Sequence, residues 1–458
     1  MVNICILGAS LGWTPGLVSD LRAIFEEDLE IRLVDINPKA AKMCADWGNM
    51  VNKQHGRKDR FIPASNRRKA LKDADAVLIT LSTGGLEAME QDLKIPEKYG
   101  IYATVGDTTG PSGWSRAVRN IPVFMEFARD FQEICPKAFI ANYTNPMASL
   151  TATLAHCCSN PVIGLCHTYF ETKDVIQKIF GLPNWDKIAM SIAGMNHFTW
   201  VVDFKIGRQN GYELLRKKIG KGSLRDFLPE ESADEIRIFS GHELCVELYD
   251  ALGYLTYPAD RHTSEFVSFA LCGQPGFPER YKLDNKKGDT YDTIRYCNIK
   301  RTDIAHRRIW KARDQKRMQD WISGKVKTYA GKSRETGADM IRAYLVNKPF
   351  TDSVNTLNIG QIPDLPPGAC VETLGVVDGL GVRPLMVNKI PEPLLEIMRP
   401  QAICQKWITE GAIKGHKPLL LQALYRDTQC AHLKPHEIRQ MADELLEANK
   451  KFLPGKIS

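Results

Sequence analysis

Reactive side chains concentrate in a few short segments of this 458-residue chain, at points where apolar runs end. Cysteine, histidine, aspartate and asparagine occur there together. The segments are 106–111, 142–146, 165–167, 194–198 and 260–262. The carboxyl ends of parallel strands meet at one edge of a sheet, so we expect the segments that follow strands to converge there. Side chains of these types are suited to metal binding and to proton transfer.

Cys166 and His197 are the pair in these segments best suited to a divalent metal. Cys166 follows an apolar run, so its thiol should emerge at the rim of the sheet. A thiolate and an imidazole together suit borderline metals such as Mn, Fe, Co, Ni or Zn. The alternative is a small core cysteine and a structural histidine. Two competing ligand sets, His242 with Cys245 and the cluster 156–158, do not follow predicted strands.

The turn after the first predicted strand is similar to a dinucleotide-binding turn. Gly8 and Gly12 flank Ser10 in it, and a helix follows whose amides could bind a pyrophosphate. Ser10 and Trp13 stand where glycine is more usual. Asp35 ends the second strand, where a carboxylate binds the adenosine ribose and disfavours a 2′-phosphate. The turn therefore predicts NAD, and the alternative is a tight turn in a domain that binds another ligand.

Short apolar runs alternate with amphipathic segments over the first third of the chain. The predicted strands are 3–7, 30–34, 76–81, 138–142 and 162–165, and the predicted helices are 17–26, 38–51 and 118–132. Strands that are apolar on both faces and separated by helices indicate a parallel sheet covered on both sides. We therefore predict an α/β protein with an N-terminal, doubly wound Rossmann-type domain.

Longer helices dominate the second half. Helices are predicted at 232–253, 303–329, 333–347 and within 395–451, with strands at 359–364 and 370–377. This change of pattern predicts two domains. A Rossmann-type domain would cover 1–190, and a mixed α+β domain for catalysis, substrate binding and oligomerisation would cover 191–458.

Composition excludes several classes of protein. The 61 Lys and Arg exceed the 54 Asp and Glu by only seven, and they form no basic cluster. This mild positive charge argues against binding of nucleic acid and is compatible with a small anionic substrate. The 12 cysteines are scattered without CxxC spacing, which predicts free thiols. No long apolar run predicts a membrane span, and the first residues lack the pattern of a signal peptide. We expect a cytoplasmic protein without membrane or nucleic-acid partners.

Taken together, the motifs resemble glycoside hydrolase family 4, the glycosidases that depend on NAD and a divalent metal. The matching positions are the Gly8 turn, Asp35, 106–108, 145–146, 164–167, 194–198 and 260–262, in the family's order. Segments 100–102, 105–108, 142–147, 196–200 and 260–266 are similar to the α-galacturonidase branch in particular. The resemblance implies an NAD- and Mn²⁺-dependent enzyme that cleaves an α-galacturonide or a related uronide.

The resemblance also implies an unusual reaction. The sugar is first oxidised at C3 by NAD⁺, which makes the C2 proton acidic. After that proton is removed, the aglycone is eliminated, water adds, and C3 is reduced again. The metal would stabilise the enediolate. NAD would end as it began, so the enzyme is a hydrolase with an internal redox cycle.

Roles for individual residues follow from the same resemblance. Cys166 and His197 would be the metal ligands. Asp260 would be the base that removes the C2 proton, although other branches use a tyrosine. The acid for the leaving group would be His167, with Asp107 as a second candidate.

Three further residues would bind the sugar, namely Asn145, Asn196 and Arg261. One departure from the family pattern concerns specificity. The tetrapeptide 166–169 reads Cys-His-Thr-Tyr, which is compatible with unphosphorylated glucosides, galactosides or uronides and argues against the 6-phosphoglycosidase branches.

Other functions remain open at this point. Within the family, the chain could be an α-glucosidase, an α-galactosidase or an α-glucuronidase. Outside it, an NAD-dependent sugar dehydrogenase would share the N-terminal fold and release NADH, and a nucleotide-binding regulatory protein would have no activity to lose. By resemblance we expect a homodimer or a homotetramer.

Overall fold

The computed structural model describes residues 1–228, 242–271, 293–294, 296–328, 331–455 and 457. A twelve-stranded sheet runs through the described part of the chain. The strands are β1 Val2–Leu7, β2 Leu29–Val34, β3 Arg60–Ala64, β4 Ala76–Ile79, β5 Phe139–Asn142, β6 Val162–Gly164, β7 Ile188–Met195, β8 Phe198–Ile206, β9 Gln209–Asn210, β10 Thr293–Ile294, β11 Ile299–Lys300, β12 Phe350–Leu357, β13 Cys370–Asp378 and β14 Gly381–Pro384. Strands β10 and β11 form a separate pair.

Helices surround this sheet. They are α1 Thr14–Ile24, α2 Pro38–His55, α3 Arg67–Leu71, α4 Gly85–Glu97, α5 Gly110–Ile134, α6 Met147–Cys157, α7 Thr168–Phe180, α8 Gly211–Ile219, α9 Glu243–Leu252, α10 Asp260–Thr263, α11 Ser268–Leu271, α12 Ile304–Ile322, α13 Gly337–Val346, α14 Glu392–Lys414, α15 Lys417–Arg426 and α16 Pro435–Asn449. Among the residues that the structure describes, no helix is both long and apolar enough to cross a membrane.

Strand order confirms the predicted fold class. Six strands in the order β3-β2-β1-β4-β5-β6 pair in parallel, which is the doubly wound order of dinucleotide-binding domains. The sheet then continues with antiparallel strands in the order β12-β13-β7-β8-β9. The second half of the chain therefore extends the same sheet and adds helices of its own.

The two faces of the parallel strands are both buried, as their apolar sequences predict. Ile4 and Ile6 face a cluster built with α1, α2 and α13, whereas Cys5 and Leu7 face one built with α5, α14 and α16. All four side chains are at most 1% exposed. Burial on both faces explains why these strands lack the polar alternation of a half-exposed sheet.

Eight of the described strands were not predicted from the sequence, and one predicted strand is wrong. The strands that the sequence analysis missed are β3, β7, β8, β9, β10, β11, β12 and β14. Segment 359–364 is not a strand, because the Asn358 side-chain amide donates hydrogen bonds to the carbonyls of Ile362 (2.8 Å) and Leu365 (2.9 Å) and winds the segment into a loop. The predicted strand 370–377 is confirmed as β13.

The predicted C-terminal helical region is divided into three. Gly415, with φ of +64°, ends α14, and a short turn separates α15 from α16. Of the helix predicted at 232–253, residues 232–241 lie outside the described part and α9 forms the remainder. Position 190 lies within β7, and the division into domains 1–190 and 191–458 stays a prediction. The eleven described cysteines are free, and Cys272 is outside the described residues.

Helices α4, α5 and α16 are joined by a buried ion pair. Arg119 Nη2 lies 2.6 Å from Asp92 Oδ2, and both side chains are fully buried. Arg119 Nη1 also donates to Asn449 Oδ1 at 2.6 Å. We expect Asp92→Ala to lower the free energy of unfolding by about 3–5 kcal/mol, because an unpaired guanidinium would remain in the core. The measurement is the first unfolding transition in urea.

The matched control for this prediction is Glu90→Gln on the same helix. Glu90 pairs with Lys94 at the surface, where an ion pair contributes less than about 1 kcal/mol. An Asp92→Ala variant no less stable than this control would contradict the assigned role of the ion pair.

Candidate functional site

His197 lies in a tight turn between β7 and β8. Strands β7 and β8 are joined by only two residues, Asn196 and His197, because Met195 pairs directly with Phe198. His197 adopts φ of +66°, a left-handed conformation that is costly for a residue with a side chain. Such backbone strain commonly marks a functional position, and here it directs the imidazole toward the segment that follows α4.

A chain of hydrogen bonds sets the orientation of this imidazole. The Thr108 hydroxyl donates to Asp107 Oδ1 at 2.8 Å. The hydroxyl oxygen of Thr108 also lies 2.8 Å from His197 Nδ1. Because the hydroxyl proton is directed to the carboxylate, Nδ1 must donate to the hydroxyl oxygen. His197 Nε2 then carries a lone pair and can act as a metal ligand. The hydrogen bond from Nδ1 to Thr108 orients the ring, as such bonds usually do for histidine ligands.

Asp107, His197 and His262 form a compact cluster. Their potential ligand atoms all lie within 4.8 Å of one another, and in the described part of the chain no other group of histidine, cysteine and acidic side chains is as close. The two imidazole rings lie 3.8 Å apart between centroids. His262 was predicted only as part of a motif, and the structure adds its imidazole to the site.

Burial and charge keep the cluster in a state suited to metal binding. Burial lowers the pKa of His197 to about 4 and that of His262 well below its usual value. Burial alone would raise the pKa of Asp107, but Arg116, His197 and His262 hold it below its usual value. At neutral pH the cluster therefore offers two neutral imidazoles and one carboxylate.

Cys166 approaches His197 from the end of β6. Its Sγ lies 2.9 Å from Thr168 Oγ1, and the backbone amide of His197 also hydrogen-bonds to this sulfur. Burial, followed by the charge of Glu372, raises the pKa of the thiol. A thiol and an imidazole side by side fit the predicted metal pair, since metal binding would displace the thiol proton. Cys166 does not join Asp107 and His262 in the compact cluster.

Asp260 is not one of the three residues of the compact cluster, and its role as the base stays a prediction. Its carboxylate is 1% exposed and caps the N-terminus of α9. Oδ2 accepts a hydrogen bond from the Leu244 amide (2.7 Å) and Oδ1 accepts one from the Cys245 amide (3.0 Å). The first-turn amides of a helix need such a partner, so tertiary structure uses this carboxylate as a helix cap.

Tyr257 lies beside the compact cluster. Its ring is stacked on the rings of His197 and His262, with centroids 6.1 Å apart in each case. The phenol is buried and hydrogen-bonds to the carboxylate of Glu171. Burial raises the pKa of Glu171, which makes this carboxylate a better proton acceptor. The sequence analysis assigned no role to either residue.

His167 stands between the cluster and the dinucleotide turn. Its Nε2 is paired with the carboxylate of Glu335, and its ring lies 6.0 Å from the ring of Trp13. Burial would lower the pKa of His167, but the charge of Glu335 outweighs it and raises that pKa above its usual value. An imidazole that retains its proton fits the predicted role of His167 as an acid.

Two asparagines supply amides for sugar hydroxyls. Asn196 is fully buried, yet neither its side-chain oxygen nor its nitrogen has a hydrogen-bond partner among the described residues. A buried amide without partners is costly unless a ligand completes it. Asn145 is half-buried, and its Nδ2 lies 3.4 Å from Asp107 Oδ2. Both positions agree with the predicted role in substrate binding.

The loop 103–108 that carries Asp107 is held by the second half of the chain. Glu265 Oε1 accepts hydrogen bonds from the amides of Val105 (2.8 Å) and Gly106 (2.7 Å). The Thr104 hydroxyl donates to the carbonyl of Arg261. Burial, followed by the charge of Asp107, raises the pKa of Glu265 to about 7. Arg261, predicted to bind substrate, is therefore part of the buried wall beside Asp107.

The turn after β1 fits a dinucleotide. Gly8 has φ of +85°, and a Cβ there would lie 2.6 Å from the Thr80 carbonyl oxygen, so only glycine allows this approach. The amides of Leu11 and Gly12 precede α1 and have no partner among the described residues. Free amides at a helix N-terminus suit a pyrophosphate. The Ser10 hydroxyl accepts a hydrogen bond from the Trp13 amide at 3.2 Å and shapes this turn.

Asp35 is placed as the ribose ligand of such a site should be. Its Oδ1 accepts a hydrogen bond from the Asn37 amide at 2.7 Å, which leaves Oδ2 for a ribose hydroxyl. Burial raises its pKa, while the nearby charge of Lys311 on α12 lowers it. Helix α12 therefore passes close to the carboxylate that the sequence analysis assigned to NAD.

Several site residues were missed because their sequence signals are weak. Tyr257, Glu171, Arg116 and Arg307 stand in no motif and come from separate helices or loops. Glu372 does carry a signal, since it is a carboxylate within the otherwise apolar strand β13, and it is fully buried near Cys166. A charged residue in the middle of a buried strand is rarely there for packing alone.

Comparison with known proteins identifies relatives along nearly the whole chain. A model described as family 4 glycosyl hydrolase matches residues 3–182, and one for the C-terminal domain of that family matches residues 192–430. The chain is 30% identical to an alpha-galacturonidase from Lachnoclostridium phytofermentans, covering 98% of this chain and 95% of the relative. It is 29% identical to an alpha-galactosidase from Bacillus subtilis, covering 93% and 92%.

A solved structure shares the fold. It is a 6-phospho-alpha-glucosidase from gut microorganisms in complex with NAD and Mn²⁺, with a TM-score of 0.78, 19% identity and coverage of 99% of both chains. Its similarity supports the architecture described above, with a parallel dinucleotide-binding half extended by antiparallel strands.

Glu265→Gln should make the stability of the metal-free protein less sensitive to pH. The folded carboxyl has a pKa of about 7 against an ordinary value of 4.5, so the folded state keeps its proton longer. Stability of the wild type should therefore fall as pH rises from about 4.5 through 7. Glutamine cannot ionise, and we expect the variant to be more stable than the wild type by about 3 kcal/mol at pH 8.5, with little difference at pH 5.

Thermal unfolding between pH 5 and 9 measures this difference. Glu447→Gln is the control, since that side chain is 73% exposed and should give no pH-dependent change. A Glu265→Gln effect of constant size at every pH would contradict the assigned ionisation.

Proposed function

Because the chain belongs to family 4 of the glycosyl hydrolases, we propose that this glycosidase uses NAD and a divalent metal, with Mn²⁺ preferred, to cleave an α-galacturonide or a related uronide. The proposal is supported by the name of the 30% identical relative and by the motifs of the α-galacturonidase branch. Bound NAD and Mn²⁺ in the solved 6-phospho-alpha-glucosidase support the choice of cofactors.

One observation carries the proposal: a dinucleotide turn and a buried cluster of metal-ligand side chains lie at the same edge of the sheet. His167 bridges the two, with its ring 6.0 Å from Trp13 of the turn and its charge acting on His197 of the cluster. A hydride acceptor and a Lewis acid must both reach one sugar ring in the family's reaction. This edge brings the two candidate sites within such reach.

In the proposed reaction NAD supplies a reversible hydride acceptor at C3, and the metal supplies positive charge for the oxygens at C2 and C3. Cys166 and His197 Nε2 hold the metal. Thr108 keeps His197 in the required tautomer. Asn196 and Asn145 orient sugar hydroxyls, and the expelled oxygen at C1 takes its proton from His167, whose charge is supported by Glu335.

The geometry supports Tyr257 as the base that removes the C2 proton. Its phenol oxygen can accept that proton while its own proton passes to Glu171, so no free phenolate is required. The relay lies beside His197, where the C2 oxygen would be bound. Asp260 instead supports the site by capping α9.

A sugar dehydrogenase and a glycosidase for neutral sugars are the other candidates. The dehydrogenase would release NADH in a net reaction and would have no use for the cysteine and histidine pair. An α-galactosidase is kept as a candidate because the Bacillus subtilis relative has nearly the same identity. From the resemblance we also propose a cytoplasmic location and a homodimer or homotetramer.

Hydrolysis of p-nitrophenyl α- and β-glycosides tests the function directly. The panel includes galacturonide, glucuronide, galactoside and glucoside, each with NAD⁺, Mn²⁺ and a reductant, and each repeated without NAD⁺ or with a chelator. We expect turnover of a uronide that is lost on either omission. Net NADH formation from a free sugar would favour the dehydrogenase, and preferred turnover of a neutral glycoside would reject the uronide.

Cys166→Ser should weaken Mn²⁺ binding at least about tenfold while NAD⁺ binding is retained, because a thiolate ligand is lost. Free Mn²⁺ is measured by electron paramagnetic resonance. Cys404→Ser is the control, since that buried thiol donates to the Ala423 carbonyl (3.3 Å) between α14 and α15, away from the cluster. If Cys166→Ser binds Mn²⁺ like the wild type and Asp107→Asn and His262→Asn do not, the ligands are the compact cluster.

Tyr257→Phe should abolish exchange of the sugar C2 hydrogen with solvent, whereas Asp260→Asn should keep exchange and lose stability. The phenol oxygen is removed in the first variant, and a helix cap worth about 1 kcal/mol is weakened in the second. Deuterium incorporation measured by NMR in D₂O separates the two. If Asp260→Asn is fully folded and saturated with cofactor and still loses exchange of the C2 hydrogen, the base is Asp260.

A further inference from the structure

Positive charge is in excess on one side of Asp107. Three guanidinium groups, those of Arg116, Arg261 and Arg307, act on this carboxylate. A second carboxylate, that of Glu265, acts on Arg261 and Arg307. The other acidic groups nearby have partners of their own, because Asp92 pairs with Arg119 and Asp303 hydrogen-bonds to His306. Burial lowers the pKa of Arg261 and that of Arg307 to about 10; the charge of Arg307 adds to this effect at Arg261, and the charge of Arg116 adds to it at Arg307. The wall beside the cluster therefore carries more cationic than anionic groups.

Arg307 reaches this wall from α12. Its Nη2 donates to the Val105 carbonyl at 2.8 Å and its Nε to the Thr302 carbonyl at 3.4 Å. These contacts fix the guanidinium two residues from Asp107. No carboxylate of the described residues lies within ion-pair distance of Arg307, and its Nη1 has no hydrogen-bond partner among them.

Arg116 reaches the wall from α5. Its Nε donates to the Asn145 carbonyl at 2.9 Å, and its Nη1 contacts only the Met89 sulfur at 3.5 Å. The residue is 8% exposed. Arg116, like Arg307, forms no ion pair with the acidic groups that the structure describes. Both guanidinium groups are thus held by neutral backbone oxygens next to the site.

Arg116 is buried and Arg307 is half-buried, and a guanidinium group removed from water without an ion-pair partner is costly unless a ligand completes the pairing. We propose that Arg307 and Arg116 bind the anionic group on C5 of the sugar, and that this group is the carboxylate of a uronide. This inference rests on the proposed function, because it places the sugar between His197 and the two arginines.

A guanidinium fork binds either a carboxylate or a phosphate, and the similarity to an alpha-galacturonidase is the reason for choosing the carboxylate. The planar guanidinium fork binds a planar carboxylate through two parallel hydrogen bonds. The shared chemistry is an anion, so a 6-phosphate is the alternative source. Arg307 is then the residue that separates uronides from neutral galactosides, since a hydroxymethyl group would leave its guanidinium unpaired.

Arg307→Gln tests the proposal against Arg308→Gln as a matched control. Arg308 is the next residue on α12, but its side chain is half-exposed and pairs with Glu90 at 2.7 Å. We measure kcat/KM for p-nitrophenyl α-galacturonide, α-galactoside and 6-phospho-α-galactoside. The expected result is a loss of about 100-fold for the galacturonide in Arg307→Gln, with less than about threefold change for the galactoside and none in the control.

Arg307→Lys separates charge from shape. It keeps the positive charge and can still reach the Val105 carbonyl, so it should recover part of the loss through charge alone. Equal losses on galacturonide and galactoside in both variants would overturn the proposal and make Arg307 a support of the loop 103–108. Preference of the wild type for the 6-phosphogalactoside, lost in Arg307→Gln, would overturn the choice of a carboxylate.

Failure of the proposed function gives a different pattern. If the wild type cleaves none of the three glycosides, titration calorimetry with free galacturonate and free galactose, in the presence of NAD⁺ and Mn²⁺, replaces turnover. Weaker galacturonate binding in Arg307→Gln than in Arg308→Gln would support the anion site even then. Equal binding of both sugars by the wild type and all variants would overturn it.

Discussion

The loop 103–108 connects every part of the site, and it is held in place by side chains from the other half of the chain. Two successive amides of this loop, those of Val105 and Gly106, are satisfied by a single carboxylate oxygen of Glu265. The Arg307 guanidinium holds the Val105 carbonyl from another side. Buried backbone groups need such partners, so the loop takes its shape only when the second half is folded against it.

Once the loop is held, the chemistry of the cluster follows. Asp107 and Thr108 meet the imidazole of His197, whose hairpin places it in a strained backbone conformation. Burial lowers the pKa of this imidazole and that of His262, which favours their neutral forms. A fully solvated imidazole would be partly protonated and a weaker ligand near neutral pH.

Sheet topology decides which strand ends contribute. Strands β12 and β13 are inserted between β6, which precedes Cys166, and β7, which precedes His197. The insertion places Glu372 opposite Gly194 of β7 and Asn355 of β12. Burial raises the pKa of Glu372 to about 8. An acidic side chain is thereby brought near the thiol of Cys166 from a strand more than two hundred residues away in sequence.

The sequence by itself determined the parts of this protein that depend on local pattern. Apolar strands separated by amphipathic helices specified a doubly wound parallel sheet, and residues that follow those strands, such as Cys166 and Asp35, lie at the edge formed by the carboxyl ends of its strands. Such positions are predictable because a parallel strand delivers the next side chain to the same edge whatever packs around it. The turn at Gly8 is likewise set by its own backbone requirement.

Only the tertiary structure decided what long-range contacts control. Asp260 follows a motif, yet its carboxylate caps α9 because that helix N-terminus packs against it, and Tyr257 takes the position beside His197 instead. Arg116 and Arg307 lie nearly two hundred residues apart and become one cationic wall only through the loop that both contact. Local sequence carries no information on such pairings, because their energies arise from burial and charge that exist only in the folded chain.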